Sequence, residues 1–131
     1  MVEDLVDQYE PDAVILDQLR NFKVKAENRT NQLEMAATGA RTLGKKKKVL
    51  VWSVTQGADS CRNKLVMDTG DVDSSNVGIP AQADVLVGCG ADETMLQENT
   101  RSLSLPKNKI SGNHDSWMIR VNPMLSRATS V

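Results

Sequence analysis

Two short apolar segments, each followed at once by a polar side chain, constrain the fold of this chain more than any other feature of its sequence. The first is Ala13–Leu16, followed by Asp17, and the second spans residues 49–55, followed by Gln56. If both are parallel strands, Asp17 and Gln56 stand side by side at the carboxyl ends of the strands. Ligands of open parallel sheets bind outside these ends. A carboxylate there can hold Mg²⁺ through water, and an amide can sense a phosphate. The pattern therefore predicts a nucleotide-binding edge.

The order of the predicted elements indicates an α/β fold. A short helix near the start leads into the first strand, and a second helix over about residues 30–43 connects it to the second strand. Asn31 and Glu34 resemble a capping box at the start of that second helix. Strand, helix and strand in this order predict a right-handed parallel crossover. A third apolar strand is predicted over residues 85–89.

The C-terminal part of the sequence predicts an antiparallel hairpin at a sheet edge. Its strands span about residues 102–107 and 117–121, with turn residues at 111–113. Residues 57–76 lack periodicity and predict a long loop, which in a compact domain is usually functional or disordered. We expect one partial domain over residues 1–123 and a flexible tail over residues 124–131.

Length and composition limit the functional classes. A chain of 131 residues with 40% hydrophobic residues can bury one modest core. Its 16 basic and 17 acidic residues give no overall basic field, so contacts to nucleic acid must come from local clusters. Cys61 and Cys89 fit no zinc or redox spacing and are expected to be reduced, small buried side chains. No apolar run approaches the roughly 20 residues of a membrane span, so we expect a soluble, cytoplasmic protein.

Two further motifs suggest other nucleotide or phosphate chemistry. Residues 39–45 match most of a phosphate-binding loop, but they end a predicted helix instead of following a strand. Residues 112–115, with Gly70 and Asp71 upstream, resemble the metal-binding loops of calcineurin-like phosphoesterases. His114 is the sole histidine of the sequence, which leaves too few nitrogen ligands for a two-metal centre. Metal-dependent phosphoesterase activity is kept as an alternative function.

Four segments, taken in order, resemble the successive motifs of DnaB-family replicative helicases, which include the bacteriophage helicase-primases. They are residues 14–20, 53–56, 73–84 and 107–112, and the resemblance extends over about residues 12–121. It implies the C-terminal half of a RecA-like ATPase domain, an α/β fold with a mostly parallel sheet, a crossover helix and a terminal antiparallel hairpin.

The resemblance also assigns roles to individual residues. Asp17 is similar to the aspartate that organises Mg²⁺ and the attacking water, and Gln56 to the glutamine that couples the γ-phosphate to the DNA loops. Lys107 and Lys109 stand where the family has a lysine and an arginine finger that reach the nucleotide of the neighbouring subunit. The candidates for binding single-stranded DNA are Arg62, Lys64, Ser74, Ser75 and Asn76.

The two lysines also have an interpretation that needs no catalysis. Lys107 and Lys109 lie two residues apart on a predicted strand, so their side chains point the same way. Lysines in such a position protect an edge strand against aggregation. The sequence leaves both interpretations open.

The function implied by the resemblance is ATP-driven translocation on single-stranded DNA with duplex unwinding. ATP and Mg²⁺ would be the cofactors of the complete domain, and the complete protein would form a ring, expected to be a hexamer, in the cytoplasm of a bacterium or phage-infected host. The sequence contains neither a phosphate-binding loop in the right context nor the catalytic glutamate. We therefore expect a C-terminal piece that is inactive alone and needs the N-terminal half of the domain. The remaining alternative is a non-catalytic DNA-binding or assembly module.

Overall fold

The structure, a computed structural model, describes residues 2–75 and 77–131. The chain forms two compact units, Met1–Gln56 and Gly57–Val131, where the sequence predicts one partial domain over residues 1–123. The first unit contains α1 (Val2–Tyr9), β1 (Ala13–Leu16), α2 (Arg29–Lys47) and β2 (Leu50–Ser53). The second contains α3 (Gly78–Gln82), β3 (Val85–Gly90), α4 (Glu93–Gln97), β4 (Thr100–Asn108), β5 (Ser116–Asn122) and β6 (Arg127–Ser130).

None of the helices in the described part of the chain combines the length and the apolar character that a membrane span requires.

The first unit is built on a parallel pair of strands. β1 and β2 pair in register from Ala13 opposite Leu50 to Leu16 opposite Ser53, and α2 connects them, as predicted. The buried side of α2 carries Leu33, Ala36, Ala37 and Leu43. Gly44 lets the helix approach β2, because a methyl group at this position would lie 3.3 Å from a side-chain carbon of Val51.

The helix α2 is longer at both ends than the sequence predicts. It begins after Asn28, whose side chain accepts a hydrogen bond of 2.9 Å from the backbone N–H of Asn31. Asn31 is therefore the residue that is capped, not the cap. The helix continues through Gly44 and the lysines and ends at Lys48 in the left-handed conformation, with φ 55°. Residues 39–45, which match a phosphate-binding loop in sequence, lie inside this helix.

The second unit contains an antiparallel sheet of four strands in the order β3-β4-β5-β6. The predicted hairpin is confirmed as β4 and β5, although both strands lie inside the sheet and not at its edge. β3 pairs antiparallel with β4, so the fold combines a parallel pair with an antiparallel sheet and is less parallel than predicted. The connection between β3 and β4, residues 91–99, is shorter than the dozen or more residues that a parallel crossover needs.

The end of the chain also differs from the prediction of a flexible tail over residues 124–131. The Asn122 side chain accepts hydrogen bonds from the backbone N–H groups of Met124 and Leu125, which forms a tight turn over Pro123–Leu125. After this turn β6 pairs antiparallel with β5. Asparagine followed by proline is a turn signal, and it explains why the chain reverses here and adds a strand.

Small residues form the face of the second sheet that carries residues 64–67. Gly88 lies opposite Ser104 and Gly90 opposite Ser102 in the pairing of β3 with β4. A methyl group on Gly88 would lie 2.8 Å from Ser104 Oγ, and one on Gly90 would lie 2.5 Å from the Leu65 carbonyl oxygen. Ser104 Oγ accepts a hydrogen bond from Met67 N–H and donates one to the Met67 carbonyl oxygen. Backbone can approach this closely only where side chains are absent.

Replacing Asn28 by alanine should lower the free energy of unfolding by about 1 kcal/mol, because the N-cap of α2 is lost. Chemical denaturation followed by circular dichroism measures the change. The matched control is Asn31→Ala, which removes the cap predicted from sequence. An effect of Asn31→Ala as large as that of Asn28→Ala would contradict the observed start of the helix.

Replacing Gly88 by alanine should destabilise the chain by about 1–3 kcal/mol, since the new methyl group meets Met67 and Ser104. The control is Gly39→Ala inside α2, where a methyl group meets nothing within 4 Å. That change should stabilise the chain by about 1 kcal/mol through helix propensity. The midpoints of thermal and urea unfolding should therefore fall for Gly88→Ala and rise for Gly39→Ala.

Candidate functional site

The predicted nucleotide-binding edge lies at the carboxyl end of the parallel pair in the first unit. Beyond the paired residues, Val54 N–H donates to the Leu16 carbonyl oxygen at 3.1 Å, and Leu19 N–H donates to the Val54 carbonyl oxygen at 2.9 Å. The chain after β1 thus runs beside the end of β2. The structure brings the exposed Asp17 and the exposed Gln56 to the same end of this two-stranded sheet.

A short turn after β1 holds the backbone around Asp17. Leu19 is only 2% exposed and anchors this turn, and the Asn21 amide donates to the Asp17 carbonyl oxygen at 3.4 Å. The Asp17 carboxylate itself faces solvent. Mg²⁺ keeps several waters and is commonly bound through one or two carboxylates together with substrate phosphates. A single exposed carboxylate at a strand end fits a Mg²⁺ of this water-bridged kind, and it cannot hold a fully protein-bound metal.

The two lysines of the predicted finger have partners within the second unit. Lys107 Nζ donates to the Pro80 carbonyl oxygen at 2.5 Å and to the Ala81 carbonyl oxygen at 3.5 Å. Lys109 Nζ lies 3.4 Å from a carboxylate oxygen of Asp84. The Lys107 ammonium group therefore binds α3 itself, and that of Lys109 binds the segment between α3 and β3. β4 lies inside the sheet, but its pairing with β5 ends at Ser104, and Lys107 is paired on the β3 side, opposite Leu86. The interpretation of Lys107 as protection of a strand edge therefore stays open.

Residues 57–72 form a closed loop, which contains two of the predicted DNA-binding residues. Its ends meet at a bridge between Gly57 and Val72, and Ala58 N–H donates to the Asp71 carbonyl oxygen at 2.8 Å. The Arg62 side chain is 84% exposed and lies 3.6 Å from the exposed Asp59 carboxylate. The closed loop therefore presents Arg62 to solvent.

Lys64 points the other way, toward two carboxylates of the closed loop. Its Nζ lies 2.7 Å from Asp68 Oδ2 and 2.6 Å from Asp71 Oδ2. Asp71 is only 7% exposed, and its Oδ2 also accepts the backbone N–H of Asp68 at 2.7 Å. Two of the three N–H groups of Lys64 thus bind within the chain, so its first role is to hold the loop together.

The remaining DNA-binding candidates follow the closed loop. Ser74 lies in the left-handed conformation with φ 64°, and its hydroxyl donates to Asp73 Oδ1 at 3.0 Å. Ser75 is buried, and its Oγ accepts the backbone N–H groups of Gly78 and Ile79 at the start of α3. Ser75 precedes the N-cap residue Val77, and its hydroxyl accepts from two N–H groups that have no partner inside the helix. Asn76 lies outside the described residues.

The charges of the closed loop shift one another's pKa values. Hydrogen bonds to Asp68 and Asp71 raise the pKa of Lys64. The hydrogen bond from Lys64, followed by that from the Gly70 N–H, lowers the pKa of Asp68. Burial raises the pKa of Asp71, but the hydrogen bonds from Lys64 and the Asp68 N–H outweigh it, so the pKa of Asp71 is lowered. All three groups are therefore held in their charged forms.

Sequence reasoning missed Asp71 as the organising residue of this loop. The signal was present, because Lys64, Asp68 and Asp71 are spaced by four and three residues, and Asp68 and Asp71 form a capping box around Thr69–Asp71. The role of Gly88 and Gly90 was also missed, because glycines in an apolar strand do not indicate which segment packs against them.

The groups of the alternative phosphoesterase site serve other purposes. His114 lies in the β4–β5 connection, and its Nδ1 is 2.9 Å from the carbonyl oxygen of Leu105 in β4. Asp71 binds Lys64, as described above. Across the part of the chain that the structure describes, no group of three or more His, Cys, Asp or Glu side chains could hold a metal ion. These contacts do not favour the phosphoesterase interpretation.

Comparison with solved structures finds a similar fold. A DnaB-like replicative helicase, studied together with its interactions with primase, matches the chain with a TM-score of 0.79 at 18% sequence identity. The match covers 93% of this chain and 32% of the helicase chain, so the chain spans about a third of that protein's length. No family model matches the sequence. No curated protein matches it either. The chain thus has a DnaB-like fold.

Acid should lower the free energy of unfolding through Asp68 and Asp71 of the closed loop. Their folded-state pKa values are lowered, so the stability they add is fully present above the unfolded value of about 3.9 and is lost as the pH falls through the folded values. Urea denaturation between neutral pH and pH ~3 measures this loss. The difference in unfolding free energy between wild type and Asp71→Asn should shrink below pH ~4. A constant difference would exclude the carboxylate as its cause, and Asp59→Asn controls for removing one charge from the same loop.

Proposed function

We propose that this chain is part of a DnaB-like replicative helicase, which couples ATP hydrolysis to translocation on single-stranded DNA and to duplex unwinding. The observation that carries the proposal is the DnaB-like fold, in which Asp17 and Gln56 follow two parallel neighbouring strands. Asp17 holds Mg²⁺ through water in this proposal, and Gln56 senses the γ-phosphate. ATP supplies the phosphoryl group that is transferred to water.

A second segment must complete the nucleotide site. Residues 39–45 are helical, so the phosphate-binding loop comes from elsewhere, namely the N-terminal half of the domain. An exposed apolar face supports this requirement: Ile15 is 73% exposed, Leu50 63% and Trp52 54%, and Ile15 and Trp52 are direct neighbours. Parallel strands are normally covered on both faces. We propose that the N-terminal half covers this face.

The ring contributes further groups. Lys107 and Lys109 reach the nucleotide of a neighbouring subunit in a ring of six, where positive charge stabilises the departing γ-phosphate. Lys109 is the better candidate, because its partner Asp84 is exposed and 3.4 Å away, whereas Lys107 is bound to backbone carbonyl oxygens. A lysine in this position supplies a point charge without the fork of a guanidinium.

The contacts within the loop reduce the candidates for binding DNA. Lys64 and Ser75 bind groups of their own chain, and Ser74 binds Asp73, while Arg62 is exposed on the closed loop. Arg62 is therefore the proposed contact to the phosphates of single-stranded DNA. A non-catalytic DNA-binding module would use the same arginine, and only ATP turnover in the completed domain separates it from the motor.

Binding of a labelled single-stranded oligonucleotide, followed by fluorescence anisotropy at several salt concentrations, tests the proposal. We expect weak binding that falls with salt. Arg62→Ala should weaken it and reduce the slope of log K against log salt by about 0.7, the loss of one phosphate contact. The control is Lys23→Ala, which removes an exposed charge from the first unit. Equal effects of the two changes would count against Arg62.

ATP turnover provides the second arm of the test. The chain alone should hydrolyse no ATP, with or without single-stranded DNA, because the phosphate-binding loop is absent from it. Robust hydrolysis that Asp17→Asn abolishes would contradict the proposed division of the site. Hydrolysis of a phosphodiester with Mn²⁺, abolished by His114→Ala, would instead support the phosphoesterase.

A further inference from the structure

Asp71 ties together most of the closed loop. Its backbone carbonyl oxygen accepts Ala58 N–H at 2.8 Å and the Cys61 thiol at 3.2 Å. Its carboxylate accepts Lys64 Nζ at 2.6 Å and Asp68 N–H at 2.7 Å. One buried residue thus holds four separate points of residues 57–72, and two of these bonds depend on its charged side chain.

The same contacts determine which side chains of the closed loop face outward. Lys64 N–H donates to the Cys61 carbonyl oxygen at 3.1 Å, and Asn63 between them is left-handed with φ 61°. This tight turn directs Lys64 toward the carboxylates while Arg62 remains in solvent. The bond from Lys64 to Asp71 ties this turn to the end of the loop at Asp71. Without it, the Lys64 side chain would no longer hold the turn there.

We infer that Lys64 and Asp71 form an internal latch that fixes the shape of the closed loop and so positions Arg62. Asp71 is then a positioning residue for DNA binding, and Lys64 acts through the loop instead of touching DNA. The latch stands on the contacts above, and its effect on DNA rests on the proposed function.

The two free cysteines make the latch measurable without DNA. Cys61 belongs to the closed loop and donates to Asp71, whereas Cys89 lies on β3 and is exposed. Opening of the loop should therefore speed alkylation of Cys61 by a thiol reagent and leave Cys89 unchanged. We expect Asp71→Asn and Lys64→Gln each to raise the rate of Cys61 alkylation about tenfold in the full chain. This factor corresponds to the free energy lost with one charged hydrogen bond.

Three comparisons sharpen this experiment. Lys64→Arg keeps the charge and should retain slow labelling of Cys61. The double variant Asp71→Asn with Lys64→Gln should label no faster than the faster single variant, because both remove the same bond. Arg62→Ala should leave the Cys61 rate as it is. Should Asp71→Asn fail to fold, both cysteines would label fast, and Lys64→Gln, which keeps the carboxylate and its bond to Asp68 N–H, decides the question.

The same variants are then tested for binding to single-stranded DNA. We expect Asp71→Asn to weaken binding with fast labelling of Cys61, and Arg62→Ala to weaken it with slow labelling, which separates positioning from contact. Unchanged Cys61 rates in Asp71→Asn and Lys64→Gln would overturn the latch. Fast labelling with undiminished DNA binding would overturn the positioning role. If the wild-type chain binds no DNA, only the proposed function is contradicted. The rates of Cys61 labelling still test the latch.

Discussion

The close approach of residues 64–67 to β3 is the constraint on which the second unit depends. A side chain at Gly90 would collide with the backbone of Lys64 and Leu65, and one at Gly88 with the side chains of Met67 and Ser104. Ser104 pairs with both the N–H and the carbonyl group of Met67. A buried backbone group without such a partner would destabilise the fold. The middle of the closed loop, residues 64–67, is thus fixed to the sheet through small residues, and the charges of Lys64, Asp68 and Asp71 hold the loop together.

Several lysines serve as internal ties in this chain. Lys46 binds Glu3 at 2.7 Å and Lys47 binds Asp7 at 2.5 Å, so the lysine run at the end of α2 fastens α1. Lys64 similarly fastens the closed loop, and Lys107 fastens the end of α3. A basic cluster in a sequence therefore says little about nucleic acid until its acidic neighbours are known. Arg62 differs because its partner, Asp59, is itself fully in solvent.

Local patterns predicted the parallel pair, α2 and the β4–β5 hairpin, because apolar alternation and helical spacing report directly on which faces are buried. The boundaries of α2 were missed because Asn28 and Asn31 are equally good caps by residue type, and only backbone geometry separates them. The direction of β3 and the strand β6 depend on pairing between distant residues. Asp17 directly follows β1, whereas β2 ends at Ser53, three residues before Gln56. The spacing of Lys64, Asp68 and Asp71 indicated a charged cluster, but it does not show that Asp71 is buried. Cys89, expected to be buried, is exposed.

The uncovered face of β1 and β2 bears on how the chain behaves when it is produced by itself. Ile15, Leu50 and Trp52 place bulky hydrocarbon in water on a sheet that has only two strands. Exposed apolar surfaces of this type promote self-association. If the proposed N-terminal half covers this face, its co-expression should improve yield and monodispersity after purification, and the indole fluorescence of Trp52 should shift to the blue as the face leaves water.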